Sequence, residues 1–189
     1  MNYLIKHKSK IINNIIDLPA SKSISNRVLI IQNLCKDSFV ISNLSDAEDT
    51  KILNKNLNSS KTKLNVKDAG TAMRFLTALL ATKNKEFIIT GNKEMNKRPI
   101  GPLVKALNSL GANICYLKKK NFSPIIIRKS NLKGGEINID SNISSQFISA
   151  ILLIAPILKN GLIINLNGKI VSKSYIEMTL KIMSYFGIR

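Results

Sequence analysis

The sequence lacks several features that commonly decide the class of a protein. It has no tryptophan, one histidine and two cysteines. His7 has no potential ligand partner at a useful spacing, so we expect no structural metal. Cys35 and Cys115 lie far apart in apolar settings, without a CxxC or Cys/His spacing. We therefore expect two buried thiols of a reducing cytosol rather than a disulfide.

Long apolar runs are also missing. The N-terminal residues contain no apolar stretch of the kind that a signal peptide needs, so we expect a cytoplasmic protein. The most apolar segment, FISAILLIAPIL at 147–158, is much shorter than the roughly 20 residues of a membrane span. We expect this segment to form a buried helix, and we expect no membrane partner.

Acidic residues are scarce, and the 29 Lys and Arg against 11 Asp and Glu give a formal net charge of +18. A nucleic-acid partner is one interpretation, but only five of these cations are arginines and the lysines are scattered. Isoleucine, lysine and asparagine account for 30, 24 and 22 residues, and all three have A/T-rich codons. Genome composition therefore explains the lysines more simply. We expect no nucleic-acid partner, but we expect the positive surface to attract small anionic substrates.

Hydrophobic periodicity predicts an α/β (α+β) protein in which a helix–strand–helix segment occurs three times. The first helices begin at about Ser25, Gly70 and Ser144, and extended segments follow at 39–44, 86–91 and 161–168. The second helices are expected at 47–57, 99–110 and 174–186. In the second copy the later helix leads into three strands between 113 and 140. The third copy has none after its later helix, so we expect the chain to be incomplete relative to its fold.

Each first helix begins with small or hydroxyl-bearing residues, namely Ser23 and Ser25, Gly70 and Thr71, and Ser144 and Ser145. Helix capping explains such residues in any single helix. Three equivalent helices packed side by side would instead direct three positive helix ends to one place and form an anion site. Cations occur near the same positions, at Lys22, Arg27 and Arg98. Their geometry suits a ligand with several carboxylate or phosphate groups.

Five motifs carry a family resemblance: PASKSISNR, DAGTAMRFLTALLA, KRPIGPLVKALNSLGA, SSQFISAILLIAPI and VSKSYIEMTL. In this order, from Pro19 to about Gly187, they resemble the N-terminal half of 5-enolpyruvylshikimate-3-phosphate synthases. The resemblance implies the enolpyruvyl transferase (inverse β-prism) fold, with two domains of three βαβαββ units each and the active site in the cleft between them. Residues 21–189 would form most of the N-terminal substrate-binding domain, with its third unit incomplete. Residues 1–20 would be a strand segment of the other, mostly absent domain.

The resemblance also implies a reaction. The enolpyruvyl group of phosphoenolpyruvate is transferred to the 5-hydroxyl of shikimate 3-phosphate, phosphate is released, and the product leads to chorismate and the aromatic amino acids. No metal or other cofactor is implied, and the complete enzyme is expected to be a cytoplasmic monomer that glyphosate inhibits.

Carried over by motif, the resemblance assigns Lys22 to catalysis and to both substrates. Shikimate 3-phosphate is expected to contact Lys22, Ser23, Arg27, Ser144, Ser145, Gln146 and Ser172. Phosphoenolpyruvate is expected to contact Lys22, Gly70, Arg98 and Gln146. A Cβ at Gly70 would intrude where phosphoenolpyruvate approaches the backbone. Two roles stay open for Tyr175, which are to line the shikimate ring or to pack in the core. Arg74 is interpreted as a structural helix arginine.

Two residues depart from the family pattern beside the phosphoenolpyruvate glycine. Asp68 stands where many members have asparagine, and Phe75 stands where many have proline. Acid–base carboxylates are also missing, because Asp46, Glu48 and Asp49 resemble an ordinary helix start and the family takes its catalytic carboxylates from the other domain. We therefore expect the chain to cradle and orient substrates without turnover of its own.

Three other interpretations stay open. An enolpyruvyl transferase acting on UDP-N-acetylglucosamine shares the fold, although SKSISNR and SSQF favour the shikimate enzyme. An inert basic binding protein is a second, and the absence of aromatic stacking platforms weighs against nucleic acid as its ligand. The third is an inactive or split gene product that acts only as a binding domain, and the sequence does not decide it.

Overall fold

Six helices and six strands form the computed structural model, which describes residues 3–188 apart from 5, 7, 10, 12, 38, 141 and 143. The prediction about His7 therefore lies outside the described residues. The helices are α1 (Lys22–Leu34), α2 (Glu48–Leu57), α3 (Gly70–Ala81), α4 (Gly101–Ser109), α5 (Ser145–Ile154) and α6 (Lys173–Tyr185). The strands are β1 (Lys63–Asn65), β2 (Phe87–Thr90), β3 (Asn113–Tyr116), β4 (Ile125–Arg128), β5 (Gly135–Asp140) and β6 (Leu162–Asn167). No helix within the described part of the chain is long and apolar enough to cross a bilayer.

The middle of the chain forms one complete βαβαββ unit. β1 pairs with β2 in parallel, β2 pairs with β4 antiparallel, and β4 pairs with β3 antiparallel. The order in the sheet is β1-β2-β4-β3, with α3 connecting the two parallel strands and α4 leading into β3. Leu64, Ile89 and Ile125 occupy adjacent positions across the sheet and are fully buried or nearly so. The predicted repeated α/β fold is confirmed in this unit.

The third unit is incomplete, as the sequence predicts. β5 and β6 form a separate parallel pair, connected by α5 and followed by α6. The assignment of the segment EINID to the end of the second unit is wrong, because this strand is β5, which pairs only with β6 and begins the third unit.

The first unit contains the clearest error of the sequence analysis. Residues 39–44 were expected to be extended and strand-like, but no strand is present there. The Phe39 ring instead lies 5.1 Å from the Phe186 ring after α6, and the Phe39 carbonyl accepts a hydrogen bond from the Gln32 side chain. Ile41 and Leu44 also pack against the core, whereas Val40 is 91% exposed, and the segment has no ladder partner among the described residues. Conversely β1 was missed, because three residues are too few to show alternation.

α3 and α5 form the centre of the core. In α3 every residue except Thr71 is buried, and in α5 eight of ten residues are buried. α5 includes residues 147–154 of the segment 147–158, so the prediction of a buried helix is confirmed for these residues. The segment then continues into a 3₁₀ turn at Ala155–Ile157. The first helix of each unit is therefore the inner one, and α2 and α6 bury only three residues each.

The prediction of two buried thiols is wrong. Cys35 is exposed and Cys115 is partly exposed, and both are free. Cys35 is the C-cap that follows the last residue of α1, and it is not among the buried residues of that helix. Cys115 lies on β3, at the edge of the sheet, where an Arg128 guanidinium nitrogen is 3.4 Å from its sulfur.

Candidate anion-binding site at the helix starts

The first two turns of α1, α5 and α6 meet at the guanidinium of Arg27. Its Nε donates to Thr179 Oγ1 at 2.7 Å, and Nη2 donates to Ser149 Oγ at 3.0 Å and to the Tyr175 carbonyl at 3.1 Å. Nη1 donates to the Ser23 carbonyl at 2.8 Å, one turn back in α1. Each of these partners lies in the first two turns of its helix. The starts of α1 and α5 therefore converge, as the repeat predicts, and α6, which was not among the three predicted helix starts, joins them.

The start of α3 joins the same assembly through two arginine–aromatic contacts. The Arg27 guanidinium carbon lies 5.5 Å from the centre of the Phe75 ring of α3. The Arg74 guanidinium carbon lies 5.7 Å from the Phe147 ring in the first turn of α5. Such contacts between a guanidinium and a ring face are favourable within about 6 Å. Phe75, which departs from the family pattern, therefore contacts a predicted ligand residue.

The start of α2 is tied to its neighbours by its two acidic residues. Asp49 accepts from Lys22 Nζ at 3.5 Å, which links α2 to the first residue of α1. Glu48 pairs with Lys67 at 2.9 Å, just before α3. This pairing lowers the pKa of Glu48 and raises the pKa of Lys67, in each case mainly through their mutual hydrogen bond. These carboxylates, interpreted from the sequence as an ordinary helix start, thus hold two lysines at the candidate site.

Two residues predicted to bind phosphoenolpyruvate touch each other. A Cβ built on Gly70, the first residue of α3, would lie 2.5 Å from Nη2 and 2.7 Å from Cζ of Arg98. The Arg98 guanidinium therefore occupies the space that a side chain at Gly70 would need. Arg98 Nη1 also donates to the Asp68 carbonyl at 3.2 Å, and the arginine remains exposed. An exposed, positioned guanidinium above a helix start is suited to an anionic ligand.

Arg74 is used internally, in agreement with its interpretation as a structural arginine. Nη1 donates to the Gly70 carbonyl at 3.0 Å and Nη2 to the Pro99 carbonyl at 2.7 Å. Burial, and to a smaller extent the neighbouring Arg98 charge, lower its pKa to about 10. Through these two carbonyls Arg74 ties the first turn of α3 to the segment that carries Arg98.

Arg27 is more deeply buried than a ligand residue on an open surface would be. It is 3% exposed, and it forms no ion pair with any carboxylate in the described part of the chain. Burial lowers the pKa of Arg27 to about 10, so the guanidinium still carries its charge at neutral pH. A buried cation without a carboxylate partner makes the floor of the site electropositive.

The start of α5 carries three further predicted ligands. Ser144 is the N-cap, and its hydroxyl accepts from the Gln146 backbone nitrogen at 3.3 Å. Capping therefore explains this hydroxyl without excluding a ligand. Ser145 is buried at 7% exposure, while Ser144 and Gln146 are partly exposed.

The start of α6 has an unusual backbone at Ser172. This exposed residue adopts the left-handed conformation, with φ 56° and ψ 45°, which is uncommon outside glycine and is often found at ligand sites. Tyr175, one turn later, is 43% exposed, and its ring centre lies 5.9 Å from the Arg27 guanidinium carbon. It is therefore neither fully buried nor remote from the site.

The predicted ligands fall into two groups that α3 connects. Arg27 contacts α5 and α6 and bonds the Ser23 carbonyl, and Lys22 lies beside Asp49 of α2. Gly70 and Arg98 form their own contact at the start of α3. Sequence reasoning missed Asp49, Ser149 and Thr179. The only available signal for Ser149 and Thr179 was a hydroxyl one helical turn after Ser145 or Tyr175 on an otherwise apolar face.

Comparison with known proteins identifies relatives of this chain. The family model described as EPSP synthase (3-phosphoshikimate 1-carboxyvinyltransferase) matches residues 52–189. A 3-phosphoshikimate 1-carboxyvinyltransferase of Bacteroides fragilis strain YCH46 is 49% identical over 187 residues, which are 99% of this chain and 45% of the relative. The enzyme of that name from Marinomonas sp. strain MWYL1 is 39% identical over 201 residues, 93% of this chain and 47% of the relative.

A solved structure of EPSP synthase from Acinetobacter baumannii is similar in fold. Its TM-score is 0.77 at 20% sequence identity, over 91% of this chain and 43% of that protein. The chain thus spans less than half the length of the relatives and the structure that it matches.

Proposed function

This chain belongs to the EPSP synthase (3-phosphoshikimate 1-carboxyvinyltransferase) family, and we propose that it supplies the N-terminal half of an active site for enolpyruvyl transfer. In this reaction the 5-hydroxyl of shikimate 3-phosphate attacks C2 of phosphoenolpyruvate, and inorganic phosphate leaves. The observation that carries the proposal is the convergence of helix starts on Lys22, Arg27 and Arg98. The reaction belongs to the route to chorismate and the aromatic amino acids.

Shikimate 3-phosphate is proposed to bind over the α1–α5–α6 junction. Its phosphate is a dianion, and an electropositive floor at Arg27 together with three helix starts favours such a group. The ligands proposed are Lys22, Ser23, Arg27, Ser144, Ser145, Gln146 and Ser172. The partly exposed hydroxyls among them suit the phosphate and ring hydroxyls, since each can donate or accept.

Phosphoenolpyruvate is proposed to bind above the start of α3. Arg98 presents a planar fork suited to its carboxylate or phosphate, and Gly70, which has no side chain, leaves room for that guanidinium against the helix start. Gln146 would reach this substrate from α5. Lys22, whose side chain is 49% exposed beside Asp49, would contact both substrates and stabilise the negative charge that develops on the departing phosphate.

The remaining chemistry is proposed to need a second domain. A proton must reach the phosphoenolpyruvate methylene and another must leave the attacking hydroxyl, and the methyl group so formed must lose a proton again as phosphate leaves. Acid–base groups must therefore lie within hydrogen-bond reach of these positions. The only ion pair that a predicted ligand makes within the described residues joins Lys22 to Asp49. We propose that residues 21–189 form a substrate-binding domain and that residues 1–20 belong with the second domain. The described part of residues 3–20 has no helix or strand.

Finer properties follow from the same proposal. We propose that the complete enzyme is a cytoplasmic monomer that uses no cofactor, and that glyphosate inhibits it because Gly70 is retained. Inhibition assays on a complete enzyme check the last point. Normal affinity for phosphoenolpyruvate together with negligible inhibition by glyphosate would contradict it.

Calorimetry on this chain tests the choice of substrate. We expect weak binding of shikimate 3-phosphate, reduced in Arg27→Lys and Arg27→Ala, and no binding of UDP-N-acetylglucosamine. Arg128→Ala is a matched control. This exposed arginine ends β4 and contacts Cys115 of β3 and Glu86 before β2, away from the helix starts. Binding of the UDP-sugar without binding of shikimate 3-phosphate would reassign the chain to the related transferase.

A further inference from the structure

Two buried hydroxyl groups beneath the candidate site have no place in the function described above. Ser149 of α5 and Thr179 of α6 are both 0% exposed, and their oxygens lie 3.0 Å apart. Both accept hydrogen bonds from Arg27. We propose that Ser149 and Thr179 are positioning residues, which hold the Arg27 guanidinium in place without neutralising its charge, so that the charge serves an anionic ligand. This inference rests on the proposed function only for the identity of that ligand.

The geometry is that of a fork on two oxygens. Nε and Nη2, on one side of the guanidinium, donate to Thr179 Oγ1 and Ser149 Oγ at 2.7 and 3.0 Å. An aspartate or glutamate commonly occupies this side of an arginine, through both of its oxygens. Here two neutral hydroxyls from different helices do so. The donors are satisfied, but no negative charge is brought in.

The other partners of the guanidinium are neutral as well. They are the Ser23 and Tyr175 carbonyls and the faces of the Phe75 and Tyr175 rings. Burial of a charge without an opposite charge is costly, so a site that served stability alone would be better filled by a carboxylate or by apolar groups. The arrangement instead preserves a net positive charge at a fixed position.

One donor of the guanidinium remains for a ligand. An arginine side chain has five N–H bonds, and four of them are used by Ser23, Ser149, Tyr175 and Thr179. The second hydrogen of Nη1 has no acceptor among the described residues. Nη1 is the nitrogen nearest the first turn of α1, because its one bond goes to the Ser23 carbonyl. This remaining donor is the one that we propose for shikimate 3-phosphate.

Variants of Thr179 separate positioning from packing. Thr179→Val keeps the shape and removes both hydrogen-bonding functions, whereas Thr179→Ser keeps the hydroxyl. Thr77→Val is the matched control, because Thr77 is also 0% exposed and its hydroxyl bonds only the Met73 carbonyl of its own helix. We expect Thr179→Val to weaken shikimate 3-phosphate binding by about tenfold or more. Thr179→Ser should bind nearly as the parent does, and Thr77→Val should leave the Kd unchanged.

A ligand-free measurement keeps the inference independent of the proposed function. Hydrogen exchange of the Arg27 Nε–H, followed by NMR, should be slow in the parent chain and in Thr77→Val, and fast in Thr179→Val. Ser149→Ala should likewise accelerate exchange at Nη2, and it serves if Thr179→Val does not fold. Unchanged exchange in both variants would overturn the positioning role. Loss of protection in the two variants, together with a parent chain that does not bind shikimate 3-phosphate, would support the role and reject the proposed ligand.

Discussion

The guanidinium of Arg98 lies against the α-carbon of Gly70, so close that an added Cβ would come within 2.5 Å of Nη2. The two residues are 28 positions apart, and both were assigned to the same substrate from separate motifs. Their contact makes the start of α3 a surface on which backbone and guanidinium act together. The role of Gly70 can therefore be tested through substitutions that move or remove the Arg98 guanidinium.

Replacing Gly70 by alanine should displace Arg98 rather than unfold the chain, because the atoms that the methyl group meets are the flexible end of a side chain. We expect little change in the melting temperature and a loss of phosphoenolpyruvate affinity of about tenfold or more, since a charge-assisted contact is moved. Calorimetry and thermal unfolding measure these effects.

A double-mutant cycle is the control for this prediction. In an Arg98→Ala background, Gly70→Ala should cost little further affinity, because the two substitutions act through the same contact. Gly101→Ala adds a methyl group to the start of α4 against the Asn121 side chain and should leave affinity unchanged. Additive losses from Gly70→Ala and Arg98→Ala would show that the residues act separately.

The pKa of Arg27 gives a prediction about alkaline pH. Burial lowers this pKa to about 10 in the folded chain, so the folded protein loses this proton before the unfolded one does as the pH rises. The contribution of Arg27 to the free energy of unfolding is therefore lowest below about pH 10 and rises as the pH increases through the folded-state value. NMR titration of the guanidinium carbon from pH 8 to 11.5 should show a midpoint near 10. A guanidinium that shows no titration in this range would exclude the desolvated environment.

The pair of Glu48 and Lys67 gives a prediction about acidic pH. The pKa of Glu48 is lowered from 4.5, chiefly by its hydrogen bond with Lys67. Its stabilisation is therefore present above pH 4.5 and is lost as the pH falls through the lower folded-state value. We expect the carboxyl carbon of Glu48 to titrate below 4.5 in the parent chain and at a higher pH in Lys67→Ala. Lys61→Ala, which changes a lysine that forms no ion pair in the described structure, is the control.

The 189-residue chain alone should show no turnover. Release of inorganic phosphate from phosphoenolpyruvate and shikimate 3-phosphate should stay at background, because the chain orients substrates without the acid–base groups that the reaction needs. Addition of the separately purified C-terminal half of a family member is the positive control, in which phosphate release is expected. Phosphate release by the chain alone, at a rate above the same assay without protein, would refute the expectation.

Sequence periodicity predicted the helices well, because each inner helix is long and apolar and its capping residues lie at its start. α3 begins at Gly70, and α5 begins one residue after the Ser144 cap. Strands were predicted less well. β1 has only three residues, and Phe39, in the segment 39–44, contacts Phe186 after α6 instead of a strand. Strand formation depends on a partner that local sequence does not specify.

The sequence predicted which helix starts and cations form the candidate site, but not which residues contact one another within it. Three repeated helix starts indicated an anion site, and the structure brings them together around Arg27. The burial of Arg27 could not be read from the sequence, because it results from the packing of four helices. Asp49, Ser149 and Thr179 were missed for the same reason, since each becomes informative only through a partner on another helix.

The complete middle unit has a consequence for how the chain acquires its structure. All its strand pairs close within residues 63–128, so its four-stranded sheet requires no contribution from either flanking unit. Contacts of such short sequence separation form early in folding. During synthesis the strands of this sheet can pair before the starts of α5 and α6 emerge from the ribosome, and α3 reaches its full burial only when α5 packs against it. The Gly70–Arg98 contact would then be formed first, and the Arg27 junction, which joins residues 152 positions apart, would be completed last.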